Sequence, residues 1–136
     1  MTKKRIEIRW RDVDSYDHVN NAVYLNYLEE VRDDWYETTV QSVEGAGDFV
    51  LVRVAIDFRR ELTLADDFIL ATCVPVKVGN SSVTTREEIW SGGGDFLAAQ
   101  AESVMVAHDA VTRKSRGLTP GERAAIETAI APEETP

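Results

Sequence analysis

The sequence predicts an α+β fold, one largely antiparallel sheet carrying one long helix, on three observations. A single strand-like run at the N-terminus is followed by one long amphipathic segment. Four further strand-like runs then come in succession, with no second long helix among them. The turns joining the last runs, Gly79-Asn80-Ser81 and Gly92-Gly93-Gly94-Asp95, are short, as antiparallel neighbours require. The predicted order is strand, helix, four strands and a short C-terminal helix, in one domain spanning residues 1–136.

Residues 4–11 alternate, with Ile6, Ile8 and Trp10 on one side and Arg5, Glu7, Arg9 and Arg11 on the other, the period of a half-exposed strand. From Asn21 to about Thr38, Tyr24, Leu28, Val31 and Trp35 recur at helical spacing and line one face. Leu25 and Tyr27 broaden that stripe, and Glu29, Glu30, Asp33, Asp34 and Glu37 lie mostly off it. Asn20 or Asn21 is a good N-cap. Residues 43–48 read as a loop. Val50, Val52, Val54, Ile56 and Phe58 then alternate without a break with Leu51, Arg53, Ala55, Asp57 and Arg59. The more apolar run 67–78 suggests a central strand, 82–90 the next, and 96–108 the last, its small residues Ala98, Ala99, Ala101 and Ser103 marking close packing. Thr119-Pro120-Gly121-Glu122 is a capping box with proline at the first helical position, predicting a short helix to about Ile130. Residues 132–136 read as a frayed tail.

Composition narrows the function. A chain of 136 residues with 43% hydrophobic content buries a core, and its small size favours oligomerisation. A net charge of −9 argues against a nucleic-acid or anionic-membrane partner. Two local clusters, Arg59-Arg60 and Arg113-Lys114-Ser115-Arg116, leave a small anionic ligand open. The lone cysteine, Cys73, sits in the apolar run 69–74 and reads as a core residue. The basic N-terminal residues precede no apolar segment, and no stretch approaches the roughly 20 apolar residues that span a bilayer, so a cytoplasmic protein is expected.

The chemistry concentrates between Trp10 and Glu29. Asp14 ends a strand-like run, His18 follows four residues later, and Asn20-Asn21 opens the long helix. A carboxylate, an imidazole and the positive end of a helix dipole within one short stretch suit attack on a carbonyl carbon and stabilisation of the resulting oxyanion. Taken alone, an aspartate before a helix is often a turn former, and both asparagines are caps in any reading.

In combination, Asp12-Val13-Asp14, His18-Val19-Asn20-Asn21, Tyr24, Tyr27 and Glu29 resemble the signature of hotdog-fold thioesterases of the 4-hydroxybenzoyl-CoA thioesterase type. The segment is also similar to the Asp-x-x-x-His-Val-Asn-Asn segment of acyl-ACP thioesterases. The motif covers residues 9–35, and the strand order extends the likeness to about residue 115. The resemblance implies a hotdog fold, a five-stranded antiparallel sheet wrapped around the long helix. It implies homodimers joined edge to edge and pairing into homotetramers, with active sites at the subunit interface. It implies hydrolysis of thioesters of coenzyme A or acyl carrier protein without metal or bound cofactor, coenzyme A being part of the substrate. Asp14 matches the family's catalytic aspartate. Two positions depart from the pattern: Asp17 stands where many relatives have glycine, and Tyr16 where the acyl-ACP enzymes have asparagine.

A thioester has a good leaving group, a thiol with a pKa of roughly 8.5 on the cysteine scale, so a carboxylate alone can serve as nucleophile or general base. Asp14 takes that role, the Asn21 amide is the oxyanion donor, and His18 orients water or donates to the thioester. Asn20, Tyr24, Arg59 and Arg60 are the substrate-binding candidates. Arg113, Lys114 and Arg116 are further candidates for the nucleotide phosphates, which favour arginine forks. Asp12 is read as a structural hydrogen-bonding residue, Tyr24, Tyr27 and Trp35 as core, Glu29 as a solvated or salt-bridged position, and His108 as a strand end. The rival functions are a hydratase or dehydratase on the same fold and a non-catalytic acyl-CoA-binding module.

Overall fold

The computed structural model describes residues 1–130; the expected frayed tail, 132–136, lies outside them. Five strands, β1 (Thr2–Glu7), β2 (Asp48–Phe58), β3 (Phe68–Val78), β4 (Ser82–Ser91) and β5 (Leu97–His108), form one sheet in the order β1-β3-β4-β5-β2. Every neighbouring pair is antiparallel. Helix α1 (Asn21–Thr39) lies across one face, and α2 (Pro120–Ala129) packs against β3 and α1. This is the predicted α+β hotdog arrangement. The middle strand is β4, with the apolar β3 one place nearer the edge. Among the described residues, no helix is long and apolar enough to cross a membrane.

Helix α1 starts where its cap dictates. Asn20 is extended (φ −62°, ψ 139°), and its Oδ1 accepts the Ala22 N–H at 2.9 Å. Tyr24, Tyr27, Leu28, Val31, Arg32 and Trp35 form the buried face. They pack on Ile69, Ala71, Cys73, Ile89, Ala99 and Ala101 of the sheet in one core. Leu25, expected to broaden the stripe, is 42% exposed instead. At 3.6 residues per turn it lies about 100° from Tyr24, past the edge that Arg32 marks.

Three further expectations are corrected. The first strand ends at Glu7 rather than Arg11. Residues Trp10–Asp12 form a 3-10 turn, which breaks the period of two and leaves Trp10 82% exposed while Ile6 and Ile8 are buried. The alternation in β2 is broken by a bulge between Leu51 and Arg53. As an edge strand, β2 exposes Val50, Leu51, Val52 and Phe58. Arg116 does not face a ligand: it forks onto the buried Glu122 carboxylate at 2.7 and 2.9 Å. Burial alone would raise the Glu122 carboxyl. Arg116 and the backbone N–H groups of Gly47 and Thr119 outweigh it and hold the pKa at about 2. That carboxylate closes the predicted capping box of α2 and ties the helix to the loop before β2.

Candidate active site

Asp12 anchors the segment that leads into α1. Its buried carboxylate accepts the Arg9 N–H at 2.9 Å, the Arg9 guanidinium at 3.0 Å and the Tyr27 hydroxyl at 2.9 Å. Its carbonyl accepts the Asn20 N–H at 2.9 Å. Burial pushes the Asp12 carboxyl up, but the bonds from Arg9 and Tyr27 win and leave it below its ordinary range. Burial, then the bond to Asp12, push the Tyr27 hydroxyl well above its own. Loop and helix face are thereby fixed to each other.

Beyond that anchor the chain doubles back. Val13 bridges Val19, the Asp14 N–H donates to the His18 carbonyl at 3.0 Å, and the Asp17 N–H donates to the Asp14 carbonyl at 3.1 Å. The Asp14 Oδ1 accepts the Tyr16 N–H at 2.9 Å. Asp17 has φ +66°, in the left-handed region that glycine favours and aspartate tolerates. This accounts for the glycine of the resemblance: the turn needs the conformation, and the exposed Asp17 side chain faces solvent. Tyr16 stacks on the His18 ring, centroids 6.1 Å apart.

The Val19 N–H donates to the Leu62 carbonyl at 2.7 Å, which lays the segment after β2 beside this turn. Between them opens a cleft of about 220 Å³, with His18, Asn21 and Tyr24 on one wall and residues 58–61 on the other. Tyr24 meets Phe58 edge to face at 5.1 Å. His18 Nε2 lies 3.5 Å from the Glu61 carboxylate. Arg60 lies over the Phe96 ring at 4.2 Å, and Arg59 flanks the cleft mouth.

The first turn of α1 leaves the Asn21 N–H open. The Asn20 side chain takes the Ala22 N–H and the Asn20 carbonyl takes the Val23 N–H. The Asn21 N–H donates to no acceptor among the described residues, as the first-turn geometry of a helix leads one to expect. Of the sequence candidates, His18, Asn21, Tyr24, Arg59 and Arg60 therefore share one cleft. Asp14 is half-buried in the adjoining turn and outside the cleft lining, and the Asn20 side chain is committed to capping. Arg113 and Lys114 are exposed in the loop after β5. Phe58 and Glu61 carry no local signal in the sequence; the Val19–Leu62 pairing lays their segment beside the site. Among the described residues, no three His, Cys, Asp or Glu side chains converge as a metal ligand set.

Comparison with known proteins agrees with this architecture. The family model of the thioesterase-like superfamily matches residues 8–134. The chain is 30% identical over 121 residues to the long-chain acyl-CoA thioesterase FadM of Escherichia coli K12, covering 84% of this chain and 88% of that protein. A thioesterase of Thermus thermophilus, solved with coenzyme A and zinc, superposes with a TM-score of 0.82 at 26% identity, covering 94% of this chain and 92% of that one. The 1,4-dihydroxy-2-naphthoyl-CoA thioesterase Slr0204 of Synechocystis shares the fold, with a TM-score of 0.76 at 22% identity over 92% of this chain and 94% of its own. The chain belongs to the thioesterase-like superfamily and is a thioester hydrolase of the hotdog fold.

Proposed function

We propose that the chain hydrolyses an acyl-CoA thioester to the free carboxylic acid and coenzyme A, with Asp14 as nucleophile or general base and the Asn21 N–H as oxyanion donor. The observation that carries this reading is the open N–H of Asn21 at the start of α1, a residue that lines the cleft with His18, beside the turn that holds Asp14. The likeness to FadM, an acyl-CoA thioesterase, supports the choice of carrier.

In the direct route, Asp14 removes a proton from water as the water oxygen adds to the thioester carbon. Negative charge collects on the former carbonyl oxygen, where the Asn21 amide and the helix dipole oppose it. Collapse expels the thiolate, which takes up the proton. In the covalent route, the Asp14 carboxylate itself adds, the thiolate leaves, and water hydrolyses the acyl–aspartyl anhydride. Neither route calls on a metal or bound cofactor. In this reading His18, with the Glu61 carboxylate 3.5 Å from its Nε2, orients the water or donates to the thioester.

The reading includes self-association through β2, as a homodimer that can pair further into a homotetramer. This strand is an unpaired edge with four exposed apolar residues. Its N-terminal end carries Asp48, and its C-terminal end runs into Arg59-Arg60. An antiparallel, two-fold pairing sets these unlike ends against each other, whereas a parallel one sets like against like. Such pairing brings a second protomer up to the cleft beside Phe58.

A panel of acyl-CoAs incubated with a thiol reagent tests the function. Release of free coenzyme A supports the proposal. Change in enoyl absorbance without thiol release would reassign the chain to hydration chemistry, and tight binding without either would leave a binding module.

A further inference from the structure

We infer that a groove on the outer face of the sheet, beside β2, holds the phosphorylated nucleotide of the substrate's coenzyme A; this rests on the acyl-CoA reading above. The groove has a volume of about 320 Å³ and lies on the face turned away from α1. Arg53 and Arg59 of β2 and Arg86 of β4 stand around it. Ala55 faces Glu102, and Glu102 faces Arg86, across three neighbouring strands. Ala55, a small side chain on β2, lines the groove with them.

Three features point to a phosphate ligand continuous with the active site. Arg59 borders both the groove and the catalytic cleft, so one ligand can run from one to the other. From Phe58 to Arg53 the strand covers five residues, about 17 Å. That is the scale of an extended pantetheine arm between a thiol at the cleft and a pyrophosphate in the groove. In a chain of net charge −9, three guanidinium groups here meet two carboxylates, Asp57 and Glu102.

Those carboxylates are loosely held. Arg53 lies 3.5 Å from Glu102 and Arg59 3.9 Å from Asp57, with all four side chains more than half exposed. Exposed pairs of this kind contribute at most about 1 kcal/mol, so a phosphate dianion displaces them readily. Among the described residues Arg86 has no carboxylate within 4.0 Å. The other basic residues are less suitable. Arg116 is locked to Glu122, Arg60 lies on Phe96, and Arg113 and Lys114 follow the far end of β5, roughly 20–27 Å along that strand from Gln100 and Glu102. Edge-to-edge pairing of β2 leaves the groove open, because side chains stand off the plane in which strands join.

The test compares acyl-CoA with the matching acyl-pantetheine, which lacks the nucleotide, in the wild type and in Arg53→Ala/Arg86→Ala. The double variant is expected to raise KM for acyl-CoA about tenfold or more, while KM for acyl-pantetheine moves less than about twofold. Calorimetry with adenosine 3′,5′-bisphosphate provides a readout independent of hydrolysis, with binding expected in the wild type and about tenfold weaker in the variant. Equal KM changes for both substrates, or bisphosphate binding untouched by the substitutions, would overturn the assignment. Bisphosphate binding lost in the variant, in a protein that releases no thiol from any acyl-CoA, would sink the hydrolytic reading and leave the groove standing.

Discussion

Asp14 and His18 are joined across the neck of one tight turn, the Asp14 N–H donating to the His18 carbonyl at 3.0 Å. The carboxylate and the imidazole thus leave the same turn, three residues before α1 begins. The Asp14 Oδ1 has a second duty, accepting the Tyr16 N–H. Asp14→Asn keeps an oxygen there and is expected to melt within about 0.5 kcal/mol of the wild type. Asp14→Ala, which frees an exposed N–H, is expected to cost about 0.5–1 kcal/mol. Thermal melts followed by circular dichroism measure both. A larger loss in Asp14→Asn would make this residue chiefly a structural one.

In the proposed mechanism the oxyanion donor is the Asn21 backbone N–H, so the side chain is the wrong handle. Proline suits the first position of a helix and lacks only the N–H. Asn21→Pro is therefore expected to fold normally and to lose about 10²–10³ in kcat, while Asn21→Ala changes kcat less than about threefold. Steady-state kinetics of the two variants, with their melts, separate the amide from the side chain. Equal kcat in both would exclude the amide.

The Glu122 carboxyl titrates at about 2 in the fold against an ordinary 4.5. Its folded value is depressed, so its contribution is complete above about pH 4.5 and is lost as pH falls through 2. Allowing for the partial exposure of Arg116, Glu122→Gln is expected to destabilise by roughly 2–3 kcal/mol at pH 7, with the gap closing between pH 4.5 and 2. Urea unfolding of both proteins across that range measures it. A constant gap would mean that the lost packing, and not the charge, is responsible.

The proposed association through β2 is expected to be broken by a charge at its centre. Val52 is 58% exposed beside the bulge. The wild type is expected to sediment as a dimer or tetramer at micromolar concentration, and Val52→Lys to sediment as a smaller species with lower kcat/KM. A monomeric wild type with full activity would remove the second protomer from the site.

The helix, the four-strand run and the α2 capping box were legible because each rests on local rules: a 3.6-residue stripe, short turns, and Thr119 reciprocating with Glu122. The first strand reads longer in the sequence than it is because Trp10 falls on the right parity, while the turn that expels it depends on the buried Asp12 contacts with Arg9 and Tyr27. Arg32 and Glu87 form an ion pair at 3.1 Å inside the helix–sheet core, where burial pushes the Glu87 carboxyl up. Fifty-five residues separate them, and nothing local announces such a pair. At the site, the motif located the turn and the open amide. The opposite wall, from Phe58 to Glu61, arrives through the pairing of Val19 with Leu62, and Arg53 and Arg86 meet only across the sheet.

The central claim is that one carboxylate in that turn drives thioester cleavage opposite the first amide of α1. It is tested most directly by the initial rate of thiol release from acyl-CoAs by the wild type and by Asp14→Asn, which keeps the turn and removes the charge. A wild-type rate well above background, falling by about two or more powers of ten in the variant at an unchanged melt, is the expected result. Equal rates in the two proteins would contradict it.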